Sequence, residues 1–243
     1  MSFTYSDVDA SGDPVGAASW MDVFGAWPAV RAYKERTVDL LRGCAPTVDV
    51  GCGVGDDVRA LGAIGIDPSM TMLTEARRRG GAFVRGDVHG LPVADGSLAG
   101  IRSDRVLQHV ADPDHALDEF ARALGPSGVV VLAEPDQSTL VIDGTDVQLT
   151  PDIVRFRATV GIRHGFLAGQ LADRIAALGF RDVNRESFRI DIDDPTRALG
   201  LPSWPAMLVE RGEWTPDDAQ RFVASIGPGF RYSFDVVVTS GRK

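Results

Sequence analysis

Three glycines at alternate positions, Gly51, Gly53 and Gly55, follow the short β-branched run Thr47–Val50. A glycine-rich turn from a strand into a helix lets the backbone approach a ligand, and the helix start offers free N–H groups. The spacing G-x-G-x-G differs from the G-x-G-x-x-G of dinucleotide enzymes, and the next two residues, Asp56–Asp57, would be poor neighbours for a pyrophosphate. We therefore expect this turn to bind a nucleoside-bearing ligand that is neutral or cationic.

Few other side chains could take part in proton transfer or metal binding. The four histidines are His89, His109, His115 and His164. His109, Asp112 and His115 follow one another at three-residue steps, but Pro113 interrupts the helix that would align them, and neither HExxH nor paired cysteines occur. We therefore predict no metal site. The G-x-S-x-G motif of serine hydrolases is also absent from the sequence.

Around the glycine turn, short apolar segments alternate with amphipathic ones. The further predicted strands are Ala63–Ile66, Phe83–Val84, Leu98–Ser103, Val129–Ala133, a segment near Asp182–Ile192, and Tyr232–Thr239. The predicted helices are Ala29–Leu41, Asp57–Leu61, Met70–Arg79, Pro113–Leu124 and Leu167–Leu178. This alternation is typical of an α/β fold whose parallel sheet is covered by helices on both faces.

We interpret residues 1–243 as a single domain with three kinds of region. Residues 1–42 would form an N-terminal helical cap, of which 1–16 have the composition of a loosely structured segment. Residues 43–136 would form the nucleotide-binding core. The segments 137–165 and 193–228 interrupt the alternation, so they either cover the site and contact substrate or pack against the sheet edge.

Composition and charge narrow the class of partner. Lys and Arg number 25 and Asp and Glu 34, which gives a formal charge of −9, without a long basic stripe. Nucleic acid and anionic lipid would be repelled, so we expect a small-molecule partner, with the oligomeric state open. The first residues have no signal-peptide pattern and no run approaches 18 apolar residues, so we expect a cytoplasmic protein. The two cysteines, Cys44 and Cys52, have no zinc-site spacing and are expected to be buried reduced thiols.

Five motifs in order resemble the class I S-adenosylmethionine-dependent methyltransferases, specifically the small-molecule group with a UbiE-like core. The motifs are VDVGCGVG (48–55), GIDPSMTML (65–73), RGDVHGLPVADGSLAGI (85–101), RVLQHVADPDHAL (105–117) and ARALGPSGVVVLAEPD (121–136). The resemblance implies a Rossmann-like sheet of seven strands, mostly parallel, with helices on both faces, an antiparallel last strand and a helical cap. One departure is the interval from Gly55 to Asp67, twelve positions and about a turn shorter than usual, which requires a short first helix ending near Gly62.

The resemblance also implies S-adenosylmethionine as the cofactor and assigns residues to its methionine end. Asp49 would lie near the cationic amino group. Gly51 and Gly53 would leave room for the ligand chain, and Ser103 would lie beside the methionine end.

At the adenosine end, Asp67 would accept hydrogen bonds from both ribose hydroxyls. Pro68 and Met72 would frame the adenine, Asp87 would accept from its exocyclic amine, and the backbone N–H of Val88 would bind a ring nitrogen. The alternatives are a helix-terminal charge for Asp67, a plain turn former for Asp87 and a core side chain for Met72.

The same resemblance points to His109 as an optional general base, with Glu134 in the position of an acid that orients it. His109 could instead only pack at a helix start. The predicted reaction is methyl transfer to a small organic acceptor, hydrophobic or aromatic and of specialised metabolism. The alternatives are a cyclase-like or non-catalytic protein that binds S-adenosylmethionine, and a nicotinamide-dependent oxidoreductase.

Overall fold

The computed structural model describes residues 8–10 and 12–243. The strands are β1 Thr47–Val50, β2 Ile64–Asp67, β3 Ala82–Arg85, β4 Leu98–Asp104, β5 Leu124–Asp143, β6 Arg181–Ile192 and β7 Arg231–Arg242. The α-helices are α1 Pro14–Gly25, α2 Pro28–Leu40, α3 Val58–Leu61, α4 Met70–Arg79, α5 Pro113–Ala123, α6 Thr150–Phe156, α7 Leu171–Ala177, α8 Trp204–Glu210 and α9 Pro216–Ser225. A π-helical turn, Arg157–Gly161, continues α6, and short 3₁₀ turns lie at Leu167–Gly169, Pro195–Arg197 and Leu201–Ser203.

The seven strands of the described residues form one sheet in the order β3-β2-β1-β4-β5-β7-β6. Strands β1 to β5 pair in parallel, whereas β7 pairs antiparallel with both β5 and β6. The predicted α/β fold with an antiparallel last strand is therefore confirmed. The chain runs outward from β1 to β3 and then returns to β4, so the carboxyl ends of β1 and β4 lie side by side where the strand order reverses. In open α/β sheets, ligands bind at such a crevice.

Helices cover both faces of the sheet because the strands are apolar on both sides. On one face, Leu117 and Phe120 of α5 are buried in a cluster with Ile101 and Leu132. Burying each such side chain stabilises the fold by about 1.5–3 kcal/mol. On the other face, α2 and the helices of the cap pack around Tyr232 and its neighbours on β7.

The short first helix is as predicted from the twelve-position interval. Helix α3 has four residues and ends at Gly62, whose φ of +61° is left-handed. Because glycine adopts this conformation without steric cost, the chain turns at once into β2.

The N-terminal region differs from the prediction of a loose segment up to residue 16. Helix α1 begins at Pro14, and Asp13 caps it by accepting a hydrogen bond from the Gly16 N–H at 2.8 Å. Proline favours a first helical turn, which explains why a polar, proline-containing segment starts a helix. Residues 1–7 and 11 lie outside the described residues.

Strand β5 is longer than predicted. It continues past Ala133 to Asp143 because β7 pairs with it over this length, with a register shift between Asp136 and Val141. The two predicted insertions carry α6, α8 and α9, and the first of them also includes the end of β5.

Candidate cofactor and acceptor site

The glycine loop is fastened to the end of β2. The N–H groups of Gly51 and Cys52 donate to the Ile66 carbonyl at 2.7 and 3.1 Å, and the Gly53 N–H donates to Asp67 Oδ2 at 2.8 Å. Gly51 has φ +69°, and a Cβ built on it would lie 2.2 Å from Cγ2 of Val106. Both the conformation and the close approach therefore require glycine at this position.

Asp67 is held in a fixed orientation at the end of β2. Its Oδ1 accepts the Ser69 N–H at 2.9 Å while Oδ2 accepts from Gly53. The side chain is buried, and this burial raises the pKa of the carboxyl above its usual value. A carboxylate oxygen can accept more than one hydrogen bond, so each oxygen of Asp67 can still accept from a ligand hydroxyl. The structure thus joins Gly51, Gly53 and Asp67 in one place, while their role toward a ligand stays a prediction.

The start of α4 is covered by the N-terminal segment. Asp9 accepts hydrogen bonds from Ser69 Oγ at 2.6 Å and from the N–H groups of Met70 and Thr71 at 2.8 and 3.1 Å. Met72 is buried in a cluster with Val8, Ala17, Ala18 and Val54. Pro68 is exposed beside this cluster. Met72 therefore is a core residue in this structure, and its contact with adenine stays a prediction.

Asp87 and Val88 lie after β3 in a tight turn. Asp87 Oδ1 accepts the His89 N–H at 2.8 Å and lies 2.7 Å from His89 Nδ1. Asp87 is exposed and Val88 is buried against the apolar cluster that contains Ile66. Asp87 is thus a turn former, and its exposure leaves it accessible to a ligand.

Asp49 belongs to a buried ion-pair cluster centred on Arg102. Nη1 of Arg102 donates to Asp49 Oδ1 at 3.0 Å, and Nη2 donates to Asp57 Oδ2 at 3.0 Å and to Asp104 Oδ2 at 2.9 Å. Its Nε donates to Thr37 Oγ1 at 2.8 Å. Burial raises the pKa of Asp49 to about 6. The structure places this carboxylate against a guanidinium, and its predicted contact with a ligand amino group stays untested.

We did not predict this ion-pair cluster around Arg102 from the sequence. Arg102 is a charged residue between Ile101 and Ser103 in β4, a strand that has a neighbouring strand on each side. A charge in such a central strand is the sequence signal for this ion-pair cluster. Buried guanidinium groups require carboxylate partners, so the three aspartates could have been sought among the residues near strand ends.

Ser103 lies at the carboxyl end of β4, paired in register with Val50 at the end of β1. It is fully buried, and its Oγ has no hydrogen-bond partner among the described residues. Buried hydroxyls usually have a partner, so an unpartnered one beside the glycine loop fits a site that binds a polar ligand.

Glu134 fixes the loop that carries His109. Its Oε1 accepts the N–H groups of Val106 and Leu107 at 2.9 and 2.6 Å, whereas Oε2 is buried without a partner in the described chain. Burial raises the pKa of Glu134 to about 8, so the group is mainly protonated at neutral pH. The hydrogen bonds of Glu134 thus hold the loop backbone, and the predicted orientation of the His109 ring by this side chain stays a prediction.

His109 lies in the same loop, with its N–H donating to the Val106 carbonyl at 2.9 Å. Burial, together with the positive charges of Arg157, Arg105 and Arg163, lowers the pKa of His109 to about 3. The imidazole is therefore neutral at physiological pH.

The cap docks on this loop through His164. Its N–H donates to the Gln108 carbonyl at 3.2 Å, and its Nε2 lies 3.0 Å from the Val110 carbonyl oxygen. These contacts bring the π-helical turn and Arg157 close to His109, a juxtaposition that the sequence pattern did not indicate because the residues lie far apart in the chain.

The arrangement fits the predicted cofactor. Asp67 has a carboxylate suited to a pair of ribose hydroxyls, the glycine loop has no side chain at Gly51 and Gly53 to exclude a ligand, and Ser103 has an unpartnered hydroxyl. No cluster of three His, Cys, Asp or Glu side chains suited to a metal ion occurs in residues 8–10 and 12–243. Over the same residues, none of the helices has the length and apolarity needed to cross a bilayer.

Comparison with known proteins agrees with this geometry. Residues 48–132 match the family model described as a methyltransferase domain. An uncharacterized 37.1 kDa protein in transposon TN4556 of Streptomyces fradiae is 38% identical over 229 residues, covering 87% of this chain and 66% of that protein. A demethylmenaquinone methyltransferase of Renibacterium salmoninarum is 33% identical over 116 residues, covering 47% and 45%. The chain thus aligns with about two thirds or less of the length of these relatives.

Among solved structures, a SAM-dependent methyltransferase from Archaeoglobus fulgidus superposes with a TM-score of 0.60. The match covers 94% of this chain and 100% of that one at 19% identity, so it shows a shared fold. With the glycine loop at the end of β1 and the carboxylate at the end of β2, residues 48–132 of this chain form a methyltransferase domain of the class I S-adenosylmethionine-dependent type.

Proposed function

We propose that this chain transfers the methyl group of S-adenosylmethionine to a small organic acceptor with an apolar or aromatic body. The observation that carries the proposal is the direct hydrogen bond between the Gly53 N–H and Asp67, which joins the two ligand-binding motifs at the crevice of the sheet. The unpartnered hydroxyl of Ser103 lies at the end of the adjoining strand and supports the same position for the ligand.

S-adenosylmethionine supplies a methyl group on a positively charged sulfur. The acceptor forms a bond to the methyl carbon as the carbon–sulfur bond breaks, and the bonding electron pair stays on sulfur. In this proposal Asp67 binds the ribose hydroxyls and the glycine loop positions the methionine chain. Holding the reacting groups in line can supply about 7–11 kcal/mol of the barrier reduction.

His109 would take the proton that a hydroxyl or amine acceptor loses. Its ring is neutral at pH 7 because its pKa lies at about 3, so it is ready to accept a proton but is a weak base. A general base is most efficient when its pKa lies near the operating pH, so this low pKa weakens the role and His109 stays an optional base. Glu134 would act as a positioning residue for this loop through Val106 and Leu107.

The apolar character of the acceptor is supported by the side chains of the cap. Trp204 lies between Phe156 and Tyr232, with ring centroids 6.4 and 6.2 Å away. A cavity of about 730 Å³ also opens between the end of β5 and α6, where Ile142 and Phe166 form part of its lining. Pockets of this size and composition commonly bind small organic molecules.

Calorimetry with S-adenosylhomocysteine and NADH tests the cofactor assignment. We expect the wild-type protein to bind S-adenosylhomocysteine, and the Asp67→Ala variant to bind it at least about a hundredfold more weakly, because two charge-assisted hydrogen bonds are lost. Asp95→Ala is the matched control, since Asp95 is exposed and pairs with Arg122. Equal affinity in Asp67→Ala, or preference for NADH, would overturn the assignment.

Product analysis separates methyl transfer from the cyclase-like alternative. Methyl-labelled S-adenosylmethionine and a panel of aromatic acceptors should give labelled product and S-adenosylhomocysteine in equal amounts. Conversion of an acceptor without label, while S-adenosylmethionine stays intact, would favour the alternative.

A further inference from the structure

Arg157 differs from the other arginine of its helix in having no acidic partner. Arg155, two residues earlier, lies 3.0 Å from Asp152 and 3.7 Å from Glu213. Across the described residues Arg157 forms no such ion pair, and its Nε is buried without a hydrogen-bond partner. The guanidinium is half-buried and has no carboxylate beside it, so this position favours an anionic ligand.

The described residues around Arg157 give its guanidinium an aromatic neighbour and a phenol, but no ion pair. Its Cζ lies 5.2 Å from the centroid of the Trp204 ring, a cation–π contact. Tyr232, whose ring packs against Trp204, is fully buried, and its hydroxyl has no hydrogen-bond partner in the described chain. Burial raises the pKa of Tyr232, and the charge of Arg157 and its polar contact with the hydroxyl oppose this rise. The Tyr232 hydroxyl and the Arg157 guanidinium therefore lie against each other in an aromatic environment, and neither has another polar partner in the described chain.

This pair of donors lies near the candidate base. Arg157 is, after burial, the largest cause of the lowered pKa of His109, which places its charge close to the imidazole. The π-helical turn that begins at Arg157 is a type of distortion that occurs frequently at functional sites. An anion bound by Arg157 would thus lie beside the place where the acceptor reacts.

We propose that Arg157 and the Tyr232 hydroxyl bind a carboxylate of the acceptor, so that the substrates are aromatic or apolar carboxylic acids. The proposal rests on the proposed function of the site. A carboxylate matches the fork of a guanidinium with two parallel hydrogen bonds and can accept a third from a phenol. The aromatic side chains Phe156 and Trp204 would contact the apolar body of such an acid.

The test compares a carboxylate with its neutral isostere on the whole protein saturated with S-adenosylhomocysteine. The probes are 2-naphthoate and 2-naphthamide, and calorimetry measures their binding. We expect wild-type protein to bind 2-naphthoate at least about tenfold more tightly, as for loss of a charge-assisted hydrogen bond. In Arg157→Gln this preference should disappear, whereas Arg155→Gln, exposed on the same helix, should retain it.

Two further variants keep the test valid if Arg157→Gln fails to fold. Arg157→Lys keeps the charge but removes the fork and should keep part of the preference, and Tyr232→Phe removes only the hydroxyl and should lower it severalfold. Wild-type protein that binds both probes equally, or binds neither, would overturn the proposal. So would an unchanged preference for 2-naphthoate in Arg157→Gln, or in both Arg157→Lys and Tyr232→Phe. Binding of S-adenosylhomocysteine is measured first, and its absence would instead contradict the proposed function.

Discussion

Around the glycine loop most buried polar groups are paired internally, with Ser103 Oγ as an exception, whereas the half under the cap leaves several of them unpaired. Arg102 has hydrogen bonds to Thr37 and three aspartates, and both oxygens of Asp67 accept backbone N–H groups. Under the cap and along the loop it covers, buried atoms of Gln108, Gln137, Arg157 and Tyr232 have no hydrogen-bond partner in the described chain.

We infer from this difference that the two halves would bind a ligand in different ways. The glycine-loop half is already fixed by its own hydrogen bonds, so a ligand can bind there without reordering the protein, which limits the entropic cost of binding. The cap half carries unsatisfied polar groups whose pairing by a ligand would contribute affinity and specificity. The comparison therefore predicts that mutations in the first half act mainly on folding and cofactor affinity, and those in the second on the acceptor.

The largest effect is expected from Arg102→Met. The variant leaves Asp49, Asp57 and Asp104 buried around an apolar side chain, and breaking a buried ion pair from one side costs about 3–5 kcal/mol. Denaturant unfolding should show this loss, while Arg42→Met, which removes an exposed partner of Asp39, should change stability by less than about 1 kcal/mol. A small loss in Arg102→Met would show that the cluster is not what fixes the glycine-loop half.

His109→Ala is expected to lower kcat about a hundredfold with an acceptor that the wild-type protein methylates, because proton transfer loses its side chain. The affinity for S-adenosylhomocysteine should stay within about threefold, since His109 lies on the acceptor side of the comparison. The control is His115→Ala, an exposed position at the start of α5. Full activity in His109→Ala would remove the general-base role and leave the packing alternative.

The pKa of Glu134 predicts how stability depends on pH. The folded-state value is raised by burial to about 8, above the ordinary value of 4.5. Its contribution to stability is fully present below about pH 4.5 and is lost as the pH rises toward 8, because the unfolded state ionises first, with a slope of up to about 1.4 kcal/mol per pH unit.

Glu134→Gln should remove this slope, because the amide stays neutral and its oxygen can still accept from Val106 and Leu107. Glu210→Gln, at an exposed position, is the control and should keep it. Unfolding free energies of the wild-type and Glu134→Gln proteins that run parallel from pH 5 to 8 would contradict the raised pKa.

Ser103→Ala is expected to have the smallest effect. A neutral hydrogen bond contributes about 0.5–1.5 kcal/mol, so the affinity for S-adenosylmethionine should fall about two- to tenfold. Removing a buried hydroxyl that lacks a protein partner should leave the unfolding free energy nearly unchanged. The exposed Ser97→Ala is the control, and a cofactor affinity equal to that of the wild type would place Ser103 outside the ligand's reach.

The sequence predicted the parts of the molecule that depend on local pattern. Apolar alternation and turn residues predict β1 before the glycines and β2, which ends at Asp67. The interval between Gly55 and Asp67 predicts the short α3. The ion pairs of Asp57 with Lys34 and of Asp56 with Arg79 do not follow from local pattern, since their partners lie 23 positions away in each case. Because Asp56 and Asp57 are each paired with a cation, they would repel a pyrophosphate less strongly than two free carboxylates would.

The cap was the least predictable region. Helices α6, α8 and α9 are stabilised by packing around residues such as Trp204 and Tyr232, and such tertiary contacts have no fixed spacing in the sequence. The position of Arg157 near His109 depends on the docking of His164 on the loop at Gln108, which joins segments about fifty residues apart. The sequence of this region shows the residue types but not which of them come into contact.

The contact of Asp9 with the start of α4 bears on which adenosine derivatives can bind. Asp9 and Ser69 already occupy the N–H groups of Met70, Thr71 and Met72, the donors that would otherwise attract a phosphate to this end of the helix. A ribose carrying a 2′-phosphate would meet Asp9 and Asp67 together and no available donor among these three. We therefore expect the N-terminal segment to admit an unphosphorylated adenosine and to disfavour NADP-like molecules.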